Sequence, residues 1–200
     1  MIDPTPETVR AFWSYMQQEY GSKVIPKATS AEMKAVATFL DLVKIQDYDT
    51  FMKVFTTTIG RRIYIPFEIG VPGDYDLWGQ IRVCVHEHQH VEQGDRDGWV
   101  TFGSRYVTSS SFRAGYEAEA FGSDMEMEYW RWGDSFDLNQ FAQARPLVLK
   151  SYGCSDDDID QARATLTIRA GIVAQGIVAN RSTQRAVDWL GNHAPALRAA

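Results

Sequence analysis

Apolar residues recur every three or four positions along most of this chain, and that spacing predicts a mostly helical protein. The first such stretch has a helix start at Thr5-Pro6 and a helix stop at Gly21. A second stretch starts at Ser30. Its apolar face is formed by Met33, Val36, Ala37, Leu40 and Val43. We expect both stretches to be helices that pack into the core.

After Phe51 the apolar residues no longer follow helical spacing, and the pattern becomes typical of strands. Residues 54–59 and 62–67 are rich in β-branched and aromatic side chains, and Gly60-Arg61 lies between them as a turn. Pro66 is typical of a strand end or an edge strand. The pattern predicts a small antiparallel sheet, either a hairpin or two short strands. Its exposed edge can pair with an extended peptide, although a sheet that only packs fits the pattern equally well.

The rest of the chain returns to helical spacing. The predicted helices cover residues 77–93 up to Gly94, then 99–107, 112–132, 138–152 with a break near Pro146, and 156–180. The β-forming residues of 99–107 also fit a strand, but the helical spacing of Trp99, Phe102 and Tyr106 favours a helix. Ser182 or Thr183 caps a final helix through Trp189, and the tail after Gly191 is expected to fray. We predict one domain, residues 1–200, of the α+β class, mostly helical and with a helical C-terminal third.

Composition and charge exclude several classes of protein. The net charge is -6 and no block of Lys or Arg is present, which argues against a nucleic-acid partner. No apolar run approaches the ~20 residues of a membrane span. The N-terminus lacks the basic and apolar regions of a secretory signal, so we expect a cytoplasmic or phage-virion location. Cys84 and Cys154 do not form a disulfide framework.

The predicted helix over residues 77–93 carries His-Glu-x-x-His at residues 86–90. At about 100° per residue, His86 and His90 lie about 40° apart and can bind one metal ion. Glu87 lies about 60° from His90, where it can act on a water whose pKa the metal has lowered. His88 points about 160° away from His90. We therefore assign His88 to the core, together with Cys84.

A catalytic zinc site uses three protein ligands, so two histidines leave one ligand missing. His193 lies in the tail and is a poor candidate. A carboxylate on a second helix is required, and Glu117 and Glu119 both lie on the predicted helix over residues 112–132. They are about 200° apart, so only one of them can face the metal.

Over residues 78–132 the chain resembles the gluzincins, zinc peptidases that carry His-Glu-x-x-His on one helix and a glutamate on the next. It also resembles small bacterial and phage proteins in which a Glu-x-Glu-Ala helix follows that motif. The resemblance implies a zincin-like active-site helix and Zn²⁺ as cofactor. Because gluzincins often read Glu-x-x-Ala around the ligand, it favours Glu117 over Glu119. It also implies a carboxylate behind a ligand histidine, for which Asp124 is our candidate.

These observations lead to a zinc-dependent hydrolase as the expected function, and to a peptidase within that class. Glu87 would deprotonate water and later protonate the leaving amine of a peptide or protein substrate. An electrophile for the tetrahedral intermediate is also expected. Tyr106 is our choice, with Arg113 and Tyr116 as alternatives.

Two other functions remain open from the sequence. The first is a bacterial or phage structural or assembly protein, which binds zinc on a metallopeptidase-like scaffold without turnover and contacts partner proteins. The second is an interaction module that uses the aromatic residues 129–132. These rings more often cap a core, so we rank this function last.

Overall fold

The computed structural model describes residues 2–42 and 47–198. The predicted apolar position Val43 lies outside these residues. The N-terminal part contains α1 (Pro6–Tyr20), β1 (Lys23–Pro26), α2 (Ala31–Leu42), α3 (Tyr48–Lys53), β2 (Thr57–Ile59) and β3 (Arg62–Ile65). The remainder contains α4 (Leu77–Asp97), α5 (Trp99–Thr108), α6 (Ser110–Trp132), α7 (Leu138–Ala144), α8 (Asp156–Val173) and α9 (Arg181–His193). The predicted class, mostly helical with a small sheet early in the chain, is confirmed.

The sheet has the order β1-β3-β2, with β3 in the centre. Strands β2 and β3 form the predicted antiparallel pair, in which Thr58 lies opposite Ile63. Strand β1 was not predicted, and it pairs with β3 in parallel, so that Val24 also lies opposite Ile63. The sheet is therefore mixed rather than purely antiparallel. A four-residue strand is too short for its alternation to stand out, and its partner is distant in the chain.

Local capping signals account for the ends of α1. The Thr5 side chain accepts a hydrogen bond from the Thr8 amide, and Pro6 occupies the first turn. Gly21 has φ 57°, the left-handed conformation that ends a helix without a steric penalty for glycine. The predicted helix over these residues is confirmed at both ends.

The predicted stop of the motif helix at Gly94 is wrong, because α4 continues to Asp97 and ends before Gly98. Gly94 is in close contact with the first residue of the next helix. A Cβ atom at Gly94 would lie 2.4 Å from the ring of Trp99. The glycine therefore allows α5 to pack against α4. Tertiary packing, rather than the end of a helix, explains why a glycine stands at this position.

The C-terminal boundaries also differ from the prediction. Helix α7 ends before Pro146, and a 3-10 segment, Arg145–Tyr152, follows it as the predicted break requires. Helix α8 ends at Val173 rather than near Asn180. Up to residue 198 the predicted fraying of the tail is wrong, since α9 reaches His193 and Leu197 is only 2% exposed.

Asn180, rather than Ser182 or Thr183, precedes the first turn of α9. Its side chain makes no capping bond to that helix. The carboxylate of Glu126, on α6, instead accepts hydrogen bonds from the amides of Ala179 and Asn180. A distant acid thus supplies what a local cap usually supplies, and helical spacing cannot reveal it.

Three apolar clusters hold the described helices together, and the smallest joins α2 and α3 to β3 through Met33, Ala37, Phe51 and Tyr64. The other two are larger. One joins α1, α4 and α9 to the sheet, and it contains Val9, Phe12, Trp13, Met16, Ile63, Ile81, Cys84 and Leu190. The other joins α6, α7 and α8, and it contains Phe121, Met125, Leu149, Leu166 and Val173. Helices α4 and α6 pack directly on each other between these two larger clusters. None of the described helices combines the length and the apolarity required to cross a bilayer.

Candidate metal centre

Three buried side chains meet where α4 packs on α6. His86 and His90 come from α4 and Glu117 from α6, and their ligand atoms lie within 4.8 Å of one another. The Nε2 atom of His86 is 3.5 Å from Oε2 of Glu117, and Nε2 of His90 is 3.5 Å from Oε1. This His-His-Glu group can hold a metal ion.

The hydrogen bonding of Glu117 tests whether the group fits a metal. Glu117 is 1% exposed. Its Oε2 atom is buried and finds no hydrogen-bond donor among the described residues. Buried carboxylate oxygens are rarely left in that state, because the lost solvation is not replaced. A cation held by this oxygen and the two Nε2 atoms would replace the lost solvation. The three residues therefore fit a bound metal ion.

Gln93 sets the orientation of His90. The Nδ1–H of His90 donates to Oε1 of Gln93 at 2.8 Å. The Gln93 amide cannot be turned around, because its Nε2 donates to the carbonyl oxygen of Tyr116 at 2.8 Å and to Glu119 at 3.2 Å. The proton of His90 is thereby held on Nδ1, and the lone pair of Nε2 faces Glu117 and a metal.

Asp124 sets the orientation of His86. Its Oδ2 atom lies 3.3 Å from Nδ1 of His86 and accepts that proton's hydrogen bond. Arg145 donates to the same oxygen at 3.2 Å, and Arg82 lies 3.8 Å from it. Burial works against the ionisation of Asp124, but His86 and the two guanidinium groups lower its pKa to about 2. Asp124 is therefore placed as a charged partner behind a candidate ligand.

The ionisation states of His86 and Glu117 depend on each other. Burial lowers the pKa of His86, but Asp124 and Glu117 outweigh burial and raise the pKa to about 10. Burial raises the pKa of Glu117, but His90 and His86 outweigh it and lower the pKa to about 2. The two acids therefore favour the protonated form of His86, and a metal that binds there competes with that proton.

Glu119 points away from this group, although the sequence left it as an alternative ligand. Its carboxylate accepts hydrogen bonds from Gln89 at 2.9 Å and from Arg96 at 2.8 Å. It also accepts one from Gln93. Glu119 therefore supports the residue that orients His90, and its two oxygens are occupied by donors.

Glu87 is next to a ligand in the sequence, but it turns towards the sheet. Its two carboxylate oxygens accept hydrogen bonds from the hydroxyl groups of Thr56 and Thr58, the second at 2.6 Å. Glu87 is 3% exposed. The edge strand β2 thus holds the residue that we expect to act on water.

Tyr106, on α5, donates a hydrogen bond from its hydroxyl group to Oε1 of Glu117 at 2.5 Å. Burial and the charge of Glu117 raise the pKa of this phenol well above its usual value, so it stays protonated. The alternatives lie elsewhere: Arg113 donates to the backbone carbonyl of Tyr106, and Tyr116 donates to Asp97. Of the three candidates for the electrophile, the structure brings only Tyr106 to the Glu117 carboxylate through its side chain.

His88 lies on the opposite face of α4, as the helical wheel predicts. It is 0% exposed, and its Nδ1 donates to the carbonyl oxygen of Cys84 at 2.7 Å. Its Nε2 accepts from the Ser22 hydroxyl group at 2.8 Å. Burial lowers the pKa of His88 to about 4, so this histidine is neutral at pH 7. The prediction of a core histidine is confirmed.

The helical geometry of the sequence places Gln93 beside the metal-facing side of α4 but assigns it no role, and it gives no role to Thr56 or Thr58. Gln93 carried a usable signal, since it lies three residues after His90 and faces it across one helical turn. The threonines carried none, because only the packing of β2 against α4 brings them to Glu87.

Comparison of the chain with protein-family models, with curated proteins and with solved structures found no match. The assignment of this site therefore depends on its own geometry and chemistry.

Proposed function

We propose that the protein is a zinc-dependent hydrolase, and specifically a peptidase of the gluzincin type. The observation that carries this proposal is the buried group of His86, His90 and Glu117, in which the carboxylate faces two oriented imidazoles and its Oε2 atom finds no donor among the described residues. Two nitrogens and one carboxylate oxygen form a ligand set typical of catalytic zinc. The His-Glu-x-x-His spacing also supports a zinc-dependent hydrolase.

Zinc bound by these three residues would supply a Lewis acid that polarises a carbonyl group and lowers the pKa of water. Glu87 takes the proton from the attacking water and passes it to the leaving amine. Tyr106 presents a protonated hydroxyl group beside Glu117, where it can donate to the oxyanion of the tetrahedral intermediate. Asp124 and Gln93 keep the two imidazoles in one tautomer and orientation.

The position of the sheet supports a peptide as substrate. Strand β2 pairs with β3 on one side, and within the part of the chain that the structure describes no strand pairs with its other side. This free edge belongs to the strand that holds Glu87. An extended peptide paired with β2 would therefore run past the candidate base.

The substitution Glu87→Gln tests the proposal. We expect the variant to bind zinc as the unaltered protein does, and to lose at least about a hundredfold in peptide hydrolysis, because general-base catalysis contributes roughly 10²–10⁴. Zinc content and cleavage of a peptide library measure the two properties. Glu92→Gln is the matched control, since Glu92 lies on the same helix and accepts from Tyr20 outside the centre. A purified protein that binds no zinc while His86 and His90 are intact contradicts the proposal.

The burial of the centre favours a second candidate, a structural or assembly protein that uses zinc for stability and contacts partner proteins. The exposed fractions of His86 and His90 are 9% and 7%. This candidate predicts that zinc raises the melting temperature of the protein while no peptide is cleaved. Cleavage that depends on Glu87 rules it out.

A further inference from the structure

The candidate metal centre is largely covered in this structure. His86, Glu87, His90 and Glu117 are exposed by 9%, 3%, 7% and 1% respectively. Side chains covered to this degree offer little surface to a hydrated ion or a peptide. Movement of a covering segment would expose more of them when the centre is filled or used.

The segment over residues 54–58, called the gate segment below, covers the centre on the side of the sheet. The ring of Phe55 meets the ring of Tyr152 edge to face, with centroids 5.3 Å apart. Tyr152 is the last residue of the 3-10 segment Arg145–Tyr152. Burial, followed by the charges of Glu117 and Glu87, raises the pKa of its phenol well above the usual value. The contact between Phe55 and Tyr152 therefore joins the gate segment to the 3-10 segment.

Besides the pairing of Thr57 and Thr58 with β3, a few side-chain contacts hold the gate segment in place. Thr56 and Thr58 donate to the carboxylate of Glu87, and the Tyr75 hydroxyl group donates to the carbonyl oxygen of Val54. Strand β2 has three residues and lies at the edge of the sheet. A short edge strand with few contacts opens at a lower free energy than a central element.

We propose that the gate segment opens and closes the metal centre, and that Thr56 and Thr58 are the latch that keeps it closed. When the segment moves away, Glu87 loses both threonine hydroxyl groups. Access to the centre and the freedom of Glu87 to act on water are therefore coupled. The proposal depends on the metal centre, but it does not depend on hydrolysis.

The rates of zinc uptake and zinc release test the latch. Uptake is followed after zinc is mixed with the metal-free protein, and release is followed with an excess of a chromogenic chelator. In the double variant Thr56→Val with Thr58→Val, which keeps the β-branched shape and removes both hydroxyl groups, we expect both rates to rise at least about tenfold. Because a gate acts on entry and exit alike, the dissociation constant should stay within about twofold.

Two further variants separate the latch from a general loosening of the strand. Thr56→Ser with Thr58→Ser keeps the hydroxyl groups and should exchange zinc at the rate of the unaltered protein. Thr57→Val alters the intervening residue of the same strand, whose side chain makes no hydrogen bond in the described part of the chain, and it should also leave the rate unchanged. Phe55→Ala should accelerate exchange, because it removes the contact with Tyr152.

Three results would overturn the latch: unchanged rates in the double valine variant, equal acceleration in Thr57→Val, or faster release without faster uptake. The last result would mean weaker ligands rather than an open gate. Hydrogen exchange of residues 54–59 in the metal-free protein gives a readout without zinc. It should rise in the valine double variant and in Phe55→Ala, but not in the serine double variant or in Thr57→Val. Zinc exchange that follows these expectations in a protein without peptidase activity would contradict the proposed function and leave the gate intact.

Discussion

His86 and His88 lie two residues apart on α4 and are both buried, yet their surroundings act on them in opposite directions. His86 faces the carboxylates of Asp124 and Glu117, and its pKa is raised to about 10. His88 faces a backbone carbonyl and a serine hydroxyl group, and its pKa is lowered to about 4. Burial disfavours the cation at both positions, so the difference comes from the charge of the neighbours.

The two faces of α4 therefore separate a site from a core. Both ring nitrogens of His88 have neutral hydrogen-bond partners, as is usual for buried polar groups. On the other face, the Nε2 atoms of His86 and His90 converge on a carboxylate whose Oε2 atom has no donor in the described residues. An unsatisfied buried acid beside oriented imidazoles indicates a ligand, whereas a satisfied histidine indicates packing.

The largest expected effect is the loss of zinc affinity when a histidine on the metal-facing side of α4 is replaced. If a zinc-binding free energy of ~10–16 kcal/mol is shared by about four ligands, each ligand contributes about 3 kcal/mol. His90→Gln should therefore weaken zinc binding by roughly a hundredfold or more. His88→Gln is the matched control, and its dissociation constant for zinc should change by less than about threefold. Equal losses in the two variants, measured by competition with a chelator, would remove the distinction between the faces.

The second effect is on stability and its dependence on pH. His88 has a pKa of about 4 in the folded state, below the usual 6.5, so the unfolded chain binds more protons between these values. The contribution of neutral His88 is complete above pH 6.5 and is lost as the pH falls towards 4. Between pH 6.5 and 5 the loss is about 2 kcal/mol, at about 1.4 kcal/mol for each pH unit.

Urea unfolding of the metal-free protein at pH 6.5 and pH 5 measures that loss. His88→Gln should lose about 2 kcal/mol less than the unaltered protein over this interval, because the titrating group is gone. His86 has the opposite sign: its contribution is complete below pH 6.5 and is lost as the pH rises towards about 10. If His88→Gln and the unaltered protein lose the same free energy, His88 is not buried as a neutral group.

The smallest effect concerns the residue that orients His90. Gln93→Leu keeps the size of the side chain and removes the acceptor for Nδ1–H, so the imidazole loses its fixed tautomer. We expect zinc affinity to fall by about tenfold, the lower end for residues behind metal ligands. Calorimetric titration checks this value, with Gln80→Leu as a control on the same helix, since Gln80 binds backbone groups of Gly70, Val71 and Tyr75 and contacts neither Glu119 nor a histidine through a hydrogen bond. A loss equal to that of His90→Gln would make Gln93 a ligand in its own right.

Much of the candidate site follows from sequence because it is local. His86, Glu87, His88 and His90 lie within five residues of one helix, and helical geometry alone orients them relative to one another. The choice between Glu117 and Glu119 is different in kind. Both are on α6, and the rotation of that helix against α4 decides which one meets the histidines.

Most helices of the protein and the two faces of α4 follow from local sequence signals, because capping and helical periodicity depend on neighbours within a few residues. The parallel pairing of β1, the passage of α4 through Gly94, and the contact of Thr56 and Thr58 with Glu87 arise only when distant elements pack together. Each of these joins residues on separate elements. Their positions depend on how the whole core packs, and no local pattern records that packing.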